Sequence, residues 1–274
     1  MAITIDQAFI KQFESEVHMA YQRQGSKLLN TVRFKNSVQG KSTTFQKVGK
    51  GVAATKSRHG NLPVMNVDHT NVECNLADYY ASDYVDKLDE LKINIDERQV
   101  VASSAAYSLG RKSDDLILTA ADSTSNTITE ASTDGLTATK INTVFEYFGT
   151  NDVPDDGERY FVISPAGWVD LLGISAFSDA DFVGSDDLPY KGGMVAKRWL
   201  GFMWMTHSGL SVSSTIRKCF AYHRSAIGMA SGQDVTTEVN YVPEKAAHLV
   251  TAMMSQGSVL IDTTGVYEVQ IKEY

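Results

Sequence analysis

The chain has 274 residues, 43% of them hydrophobic, and a formal net charge of −8 at neutral pH. That length builds one large domain or two small ones with real cores, and the negative balance argues against a protein whose main task is to grip nucleic-acid phosphates. No apolar run approaches the ~18 residues that span a bilayer, and the start, Met1 to Asp6, lacks the basic-then-apolar signature of a signal peptide. Cys74 and Cys219 lie far apart with no CxxC pair, which predicts reduced, structural thiols in a protein made in a cytosol.

Asp6 caps a first helix running to about residue 24, with the stripe Phe9, Phe13, Val17 and Ala20, and Gly25 stops it. Residues 31–38 and 42–48 read as two short strands joined at Gln39-Gly40-Lys41. A Gly-, Lys- and Ser-rich stretch follows at 49–61, and the alternation through Val64, Val67, Val72, Leu76 and Tyr79 resumes at 62–84. Between residues 31 and 62 stand seven bases, Arg33, Lys35, Lys41, Lys47, Lys50, Lys56 and Arg58, and no acid; without them the remainder stands at −15. A hairpin of this kind cannot bury a core of its own and is marginal in water. It is either a solvated loop or one ordered by another molecule, and its one-signed charge and strand-like ends favour the second. A basic segment on an acidic chain suits association between copies.

The rest of the chain is organised around residues 94–121. Asn94 with Glu97 three residues on reads as a helix start, and Val101, Ala105, Leu109 and Leu116 recur at helical spacing. Gly110 is expected to mark a bend, and the small residues 102–106 would admit a close-packed sheet. Residues 122–135 read as a turn or linker, 140–149 as a helix (Val144, Phe145, Phe148) and 151–157 as an acidic loop. The strand 159–163 runs into Ser164-Pro165, an N-cap followed by proline at the first helical position, and a helix carrying Trp168, Leu171 and Leu172. A loop region at 175–193 precedes a dense apolar patch at 199–209. Strands are predicted at 218–229, 235–242, 246–254, 258–261 and 266–271, with turns at 255–257 and 263–265. The fold class is α+β, with an α/β middle and a mostly β C-terminal part.

Chemistry is sparse. Gly40-Lys41-Ser42-Thr43 lacks the upstream glycine of a phosphate loop, because Lys35 stands there, and a strand follows where a helix is needed. No G-x-S-x-G or H-E-x-x-H is present, and His18, His59, His69, His207, His223 and His248 show no ligand spacing. Asp179, Asp181, Asp186 and Asp187 lack the spacing of a calcium loop and read as a solvated acidic loop. The aromatic patch around Trp199 to Trp204 reads as core packing and not as a base-stacking platform. No catalytic residue, metal site or cofactor is expected.

With its elements in this order, the chain resembles the major capsid protein of tailed bacteriophages, whose fold is shared with herpesvirus shells and encapsulin nanocompartments. The resemblance lies in the arrangement: an N-terminal arm (1–30), an extended basic β-hairpin loop (31–66), a peripheral domain (67–135) with a spine helix (94–121), an axial α/β domain (136–225) and return strands of the peripheral domain (226–274). The aromatic stretch Leu76-Ala77-Asp78-Tyr79-Tyr80-Ala81-Ser82-Asp83-Tyr84 leads into the spine helix. The segment 221–230 looks like the family's return strand, and Gly257-Ser258-Val259-Leu260 with Gly265-Val266-Tyr267-Glu268-Val269 looks like its last hairpin. The resemblance implies a non-enzymatic subunit that assembles into hexamers and pentamers of an icosahedral head enclosing double-stranded DNA, a virion component assembled in the host cytoplasm. It further implies separate scaffolding, portal and decoration proteins as partners, and no membrane; since the chain begins at the arm, scaffolding is a separate protein or the sequence is a processed form. The seven loop bases would contact a neighbouring copy, with Asp152, Asp155, Asp156, Asp179, Asp181, Asp186 and Asp187 as the acidic partner surface. Some relatives lock subunits with a Lys-to-Asn covalent bond; lysines stand in the loop here, but without matched partner positions that chemistry is not carried over. An encapsulin-type shell, a tail-tube subunit, and a metal-dependent or acyl-transfer enzyme using the 179–187 carboxylates or Ser164 are the alternatives.

Overall fold

The structure is a computed structural model that describes Arg23 and residues 25–90, 97–128, 134–179 and 193–273. The expected first helix, the Asn94 helix start, and Asp181, Asp186 and Asp187 lie outside the described residues. The chain divides into two compact units, and the division falls inside long elements: at 77/78, 111/112, 233/234 and 254/255.

In chain order the elements are β1 (Arg33–Lys35), β2 (Ser42–Val48), β3 (His69–Asn75), β4 (Ala77–Asp86), α1 (Lys87–Glu90), α2 (Glu97–Asp122), β5 (Thr127–Ile128), α3 (Ala138–Thr150), β6 (Arg159–Ile163), α4 (Pro165–Leu172), α5 (Ser175–Ser178), β7 (Lys197–Trp199), β8 (Phe202–Thr206), β9 (Val212–Ser213), β10 (Ile216–His223), β11 (Ile227–Val242), β12 (Ala247–Leu260) and β13 (Val266–Lys272). This is the α+β architecture the resemblance implies.

In the smaller unit, the first part of α2 packs on a sheet of β4 with the far part of β11 and the near part of β12. The small residues of the helix allow it: Ala105 and Leu109 meet Ala252 and Met254, with Tyr79 and Ala81 against them. The helix runs unbroken through Gly110. A Cβ there would lie 2.7 Å from the Cα of Gly25, so the glycine admits the incoming N-terminal backbone.

The larger unit is built on a mixed sheet in the order β5-β13-β10-β6-β8-β7, with β9 on β10. β6 and β8 run parallel, and α4 lies in the connection between them. Ser164 caps α4, its Oγ accepting from the Gly167 N–H at 3.0 Å, with Pro165 opening the helix. Thr137 caps α3 in the same way. The apolar patch is core: Trp204 is fully buried and stacks on Phe161 with ring centroids 4.1 Å apart, beside Phe202, Phe148 and Trp199. Within the same unit Asp114 is fully buried and accepts from the N–H groups of Lys27 and Leu28 and from His207 Nε2 at 3.0 Å. Gly209 N–H donates to the other ring nitrogen, so a neutral His207 carries its proton toward Asp114. This clamp fixes the point where the chain enters the unit.

Three expectations are corrected. The strands at 33–35 and 42–48 form, yet not as a hairpin: β1 runs parallel to β11 (Arg33↔Gly228), and β2 pairs antiparallel with β3 (Ser42↔Asn75 to Val48↔His69). The turn at 255–257 does not exist, because β12 runs straight through it. Gly257 is needed there for another reason, since its Cβ would fall 2.0 Å from the Asn75 carbonyl oxygen. Finally, β12 and β13 belong to different sheets and do not form a last hairpin.

Candidate assembly surface

β2 and β3 make a two-stranded ribbon whose two ends differ in kind. At its base Phe45 and Cys74 are buried in a small cluster with Ala230 and Ile261. Thr43 also turns inward, as the period-2 pattern of β2 requires. A Cβ on Gly228 would meet the Phe45 ring at 2.8 Å, so β11 carries glycine where the ring docks. Beyond Val48 the strands give way to a tip, residues 49–68, closed by the Gly49 N–H to Asp68 carbonyl bond at 2.8 Å. There Val52, Leu62 and Val64 are 79%, 77% and 78% exposed, and Met65 more than half. That is apolar surface with no core beneath it.

The seven loop bases divide the same way. Lys47 Nζ meets Asp262 at 2.8 Å, and Lys50 Nζ meets Asp152 at 2.9 Å, so two bases tie the end of β2 and the start of the tip to the chain's own body. Burial alone would push the Asp262 carboxyl up, but hydrogen bonds from Lys47 and from the Thr264 hydroxyl and N–H outweigh it and hold it below the usual carboxylate range. Lys35 donates to Thr43, and the Arg33 guanidinium lies over the Phe45 ring at 5.6 Å. Lys41, Lys56 and Arg58 are exposed and form no ion pair among the described residues.

The expected acidic partner surface is largely used internally. Asp152 holds Lys50, Asp155 lies 3.9 Å from Arg159, and Asp156 faces His223 Nε2 at 3.1 Å. Asp179 is exposed. A cleft of about 400 Å³ separates the ribbon base from this loop, lined by Lys47, Lys50, Asp152, Pro154, His223 and Asp262 among others.

One cluster had no signal in the sequence. Asp156, Glu158 and His223 bring three ligand atoms within 4.8 Å of one another, a spacing that a divalent ion could bridge. Strand pairing assembles it, with Arg159 opposite His223 across β6 and β10, so no short sequence spacing exists to be noticed. Each member already has a partner. His223 Nδ1 accepts the Ser225 N–H at 3.3 Å, which puts the proton of a neutral ring on Nε2, toward Asp156; Glu158 pairs with Arg224. The cluster reads as an ionic seam. The buried thiols are inert in the same sense: burial pushes Cys219 up to about 12 and raises Cys74 as well.

The comparisons with known proteins bear on a surface of this kind. A family model described as phage capsid protein matches residues 5–273. No curated protein sequence matches. Among solved structures, the capsid of cyanophage P-SCSP1u is similar with a TM-score of 0.77 at 18% identity, over 98% of this chain and 94% of that one. A chain of Mycobacterium phage Che8 gives 0.74 at 17% identity over 96% and 97%, and the capsid of cyanophage Pam1 gives 0.72 at 14% over 99% and 98%. The fold is that of these capsid chains, and with nearly its whole length matched the chain belongs to the phage capsid protein family, as a structural component of the virion shell and not an enzyme.

Proposed function

We propose that the chain is the major capsid protein of a phage head, assembling from copies of itself into hexamers and pentamers of an icosahedral shell around double-stranded DNA. The observation that carries this is the ribbon: its base is anchored by Phe45, while its tip leaves Val52, Leu62 and Val64 more than three-quarters exposed beside Lys56 and Arg58, which form no ion pair among the described residues. A surface of that kind on an otherwise acidic chain is suited to a neighbouring copy. Within this reading residues 1–30 are the arm, 31–66 the extended loop, 67–135 and 226–274 the peripheral domain and 136–225 the axial domain. The loop bases Arg33, Lys35, Lys41, Lys47, Lys50, Lys56 and Arg58 lie at or near the inter-subunit contact. Scaffolding, portal and decoration proteins are its partners in that assembly. The acidic remainder, −15 without the loop bases, gives a shell lining that repels DNA and lets it move during packaging.

The test is sedimentation and electron microscopy of the expressed full-length chain with any assembly helper present. Closed particles with five-fold vertices are expected, enclosing nucleic acid when they are recovered from infected cells. Subunits that stay solitary, or tubes in place of shells, would overturn the reading; shells filled with protein cargo would replace the phage head by a nanocompartment.

A further inference from the structure

The seam of Asp156, Glu158 and His223 has features that ion pairing alone does not account for. Asp156 and Glu158 flank Gly157, whose φ of +83° turns the chain so that both carboxylates meet His223. The Glu158 N–H donates to Asp156 Oδ1 at 2.9 Å and orients it. His223 stands at the end of β10 with its side chain 5% exposed, and its ring is held through the far nitrogen, Nδ1 lying 2.7 Å from Ser225 Oγ. Nε2 therefore points at the carboxylates, 3.1 and 3.3 Å from the two Asp156 oxygens. Charge is unbalanced there. Asp156 pairs with no lysine or arginine among the described residues, and the Glu158 carboxylate has only Arg224, a surface pair of the kind that is weak in water. Arg159, close by, spends its guanidinium on the Val153 and Pro154 carbonyls. Two carboxylates, one surface cation and a buried imidazole leave a negative excess around a nitrogen donor.

We propose that Asp156, Glu158 and His223 form a binding site for a divalent ion of the zinc class, with His223 Nε2 and one oxygen from each carboxylate as ligands. The three ligand atoms lie within 4.8 Å of one another. The 3.1 Å between Nε2 and Asp156 Oδ1 already matches the roughly 3–3.5 Å between neighbouring ligands of a tetrahedral ion with bonds of about 2.0–2.1 Å. Glu158, at the surface, completes the set by rotating away from Arg224. The Ser225 hydroxyl accepts as well as it donates, so the ring proton can pass to Nδ1 and leave the Nε2 lone pair for the metal. Metal-bound histidines are commonly fixed in this way through their other nitrogen. One imidazole with two carboxylates suits zinc, whereas calcium and magnesium favour oxygen alone. The cleft of about 400 Å³ that His223 and Ser225 line gives the ion its path. A bound ion ties the loop at residues 151–158 to β10, and with it Asp152, which anchors Lys50. The site lies within one chain, so it stands or falls apart from the shell reading.

Zinc titration by calorimetry and by thermal melting, on full-length protein first stripped with a chelator, tests this. The proteins are the parent, Asp156→Asn with Glu158→Gln, His223→Gln, and Asp179→Asn as a control at an exposed acid outside the cluster. Expected for the parent is one Zn²⁺ per chain and, at about a hundredfold excess over Kd, a Tm raised by roughly 5–10 °C. The amide pair keeps the size and the accepting oxygens and removes both charges. Without metal it should melt near the parent, and it should bind zinc about tenfold or more weakly. His223→Gln should lose the site too, while Asp179→Asn binds as the parent does. Replacing a buried ring can unfold the chain, so the amide pair is the deciding variant. Co²⁺ gives a second readout, visible absorption bands in the parent that the amide pair lacks. A parent that neither takes up Zn²⁺ nor melts higher with it overturns the proposal. So does uptake unchanged in the amide pair, the mark of adventitious binding at other histidines, and so does a parent that prefers Mg²⁺ to Zn²⁺, which would remove the imidazole from the ligand set.

Discussion

Gly257→Ala tests whether the ribbon is aimed by close backbone packing at its foot. Gly257 lies inside β12, buried, and an added Cβ would stand 2.0 Å from the Asn75 carbonyl oxygen, 3.0 Å from its carbon and 3.4 Å from Cys74 Sγ. The obstructing atoms are backbone, so no rotamer change relieves them and the β3–β4 junction must move. Overpacking a tight core costs about 1–3 kcal/mol, and a backbone obstruction belongs at the upper end. At about 2–4 °C per kcal/mol for a chain approaching this size, the expected fall in Tm is roughly 6–12 °C. Asn75 pairs with Ser42 at the first rung of the ribbon, so the displacement enters the ribbon itself and assembly should suffer beyond what the lost stability explains. Gly149→Ala is the control: it lies in α3 with no atom within 4 Å of the added Cβ, and it should hold or gain up to about 1 kcal/mol. Differential scanning calorimetry with particle yields reads both. A Gly257→Ala protein that melts with the parent and assembles normally would refute the packing argument.

Two further outcomes follow from the ionisable groups. Asp262 and Asp156 are both held below their ordinary value of 3.8, Asp262 by Lys47 and Thr264 against its burial, Asp156 first by the Glu158 N–H and then by His223. A depressed carboxylate contributes stability that is present above the unfolded-state value and lost as pH falls through the lower folded one. Urea midpoints should therefore hold down to about pH 4 and drop below it, and Lys47→Met should flatten that acid limb; superimposable limbs would count against the ion pair. Cys74 and Cys219, buried and raised, should resist Ellman's reagent in the folded chain at mildly alkaline pH and react fully in urea, whereas rapid native labelling would contradict their burial.

What was legible in the sequence is what is decided locally. Ser164-Pro165 opens α4 as its capping chemistry requires, and the period of Val144, Phe145 and Phe148 places α3. The misreadings share one cause, which is pairing at long range. β1 has three residues and finds its partner at Gly228, nearly two hundred residues on, so nothing near Arg33 distinguishes that pairing from a hairpin with β2. Gly257 looks like a turn because glycine most often marks one, yet here it admits a crossing backbone. Gly110 is likewise a point of close approach. The seven bases were visible as a group, but their division into an anchored base and an open tip depends on Asp152 and Asp262, which only the fold brings to Lys50 and Lys47.

That division changes how the charges act. An exposed ion pair is worth about 0–1 kcal/mol and weakens with salt, so Lys56 and Arg58 cannot supply most of the affinity of one subunit for the next. Apolar burial can, because a fully covered Val or Leu side chain contributes about 1.5–3 kcal/mol, and Val52, Leu62 and Val64 begin almost fully exposed. Under the proposed shell reading, the bases set which surface the tip approaches and how fast, and the apolar side chains decide whether it stays. Anchoring through Phe45, Lys47 and Lys50 limits the conformations the ribbon must give up on docking, so less of that apolar gain is lost to ordering. On that reading a modest contact remains reversible while subunits are added, and its repetition over many copies makes the finished shell durable.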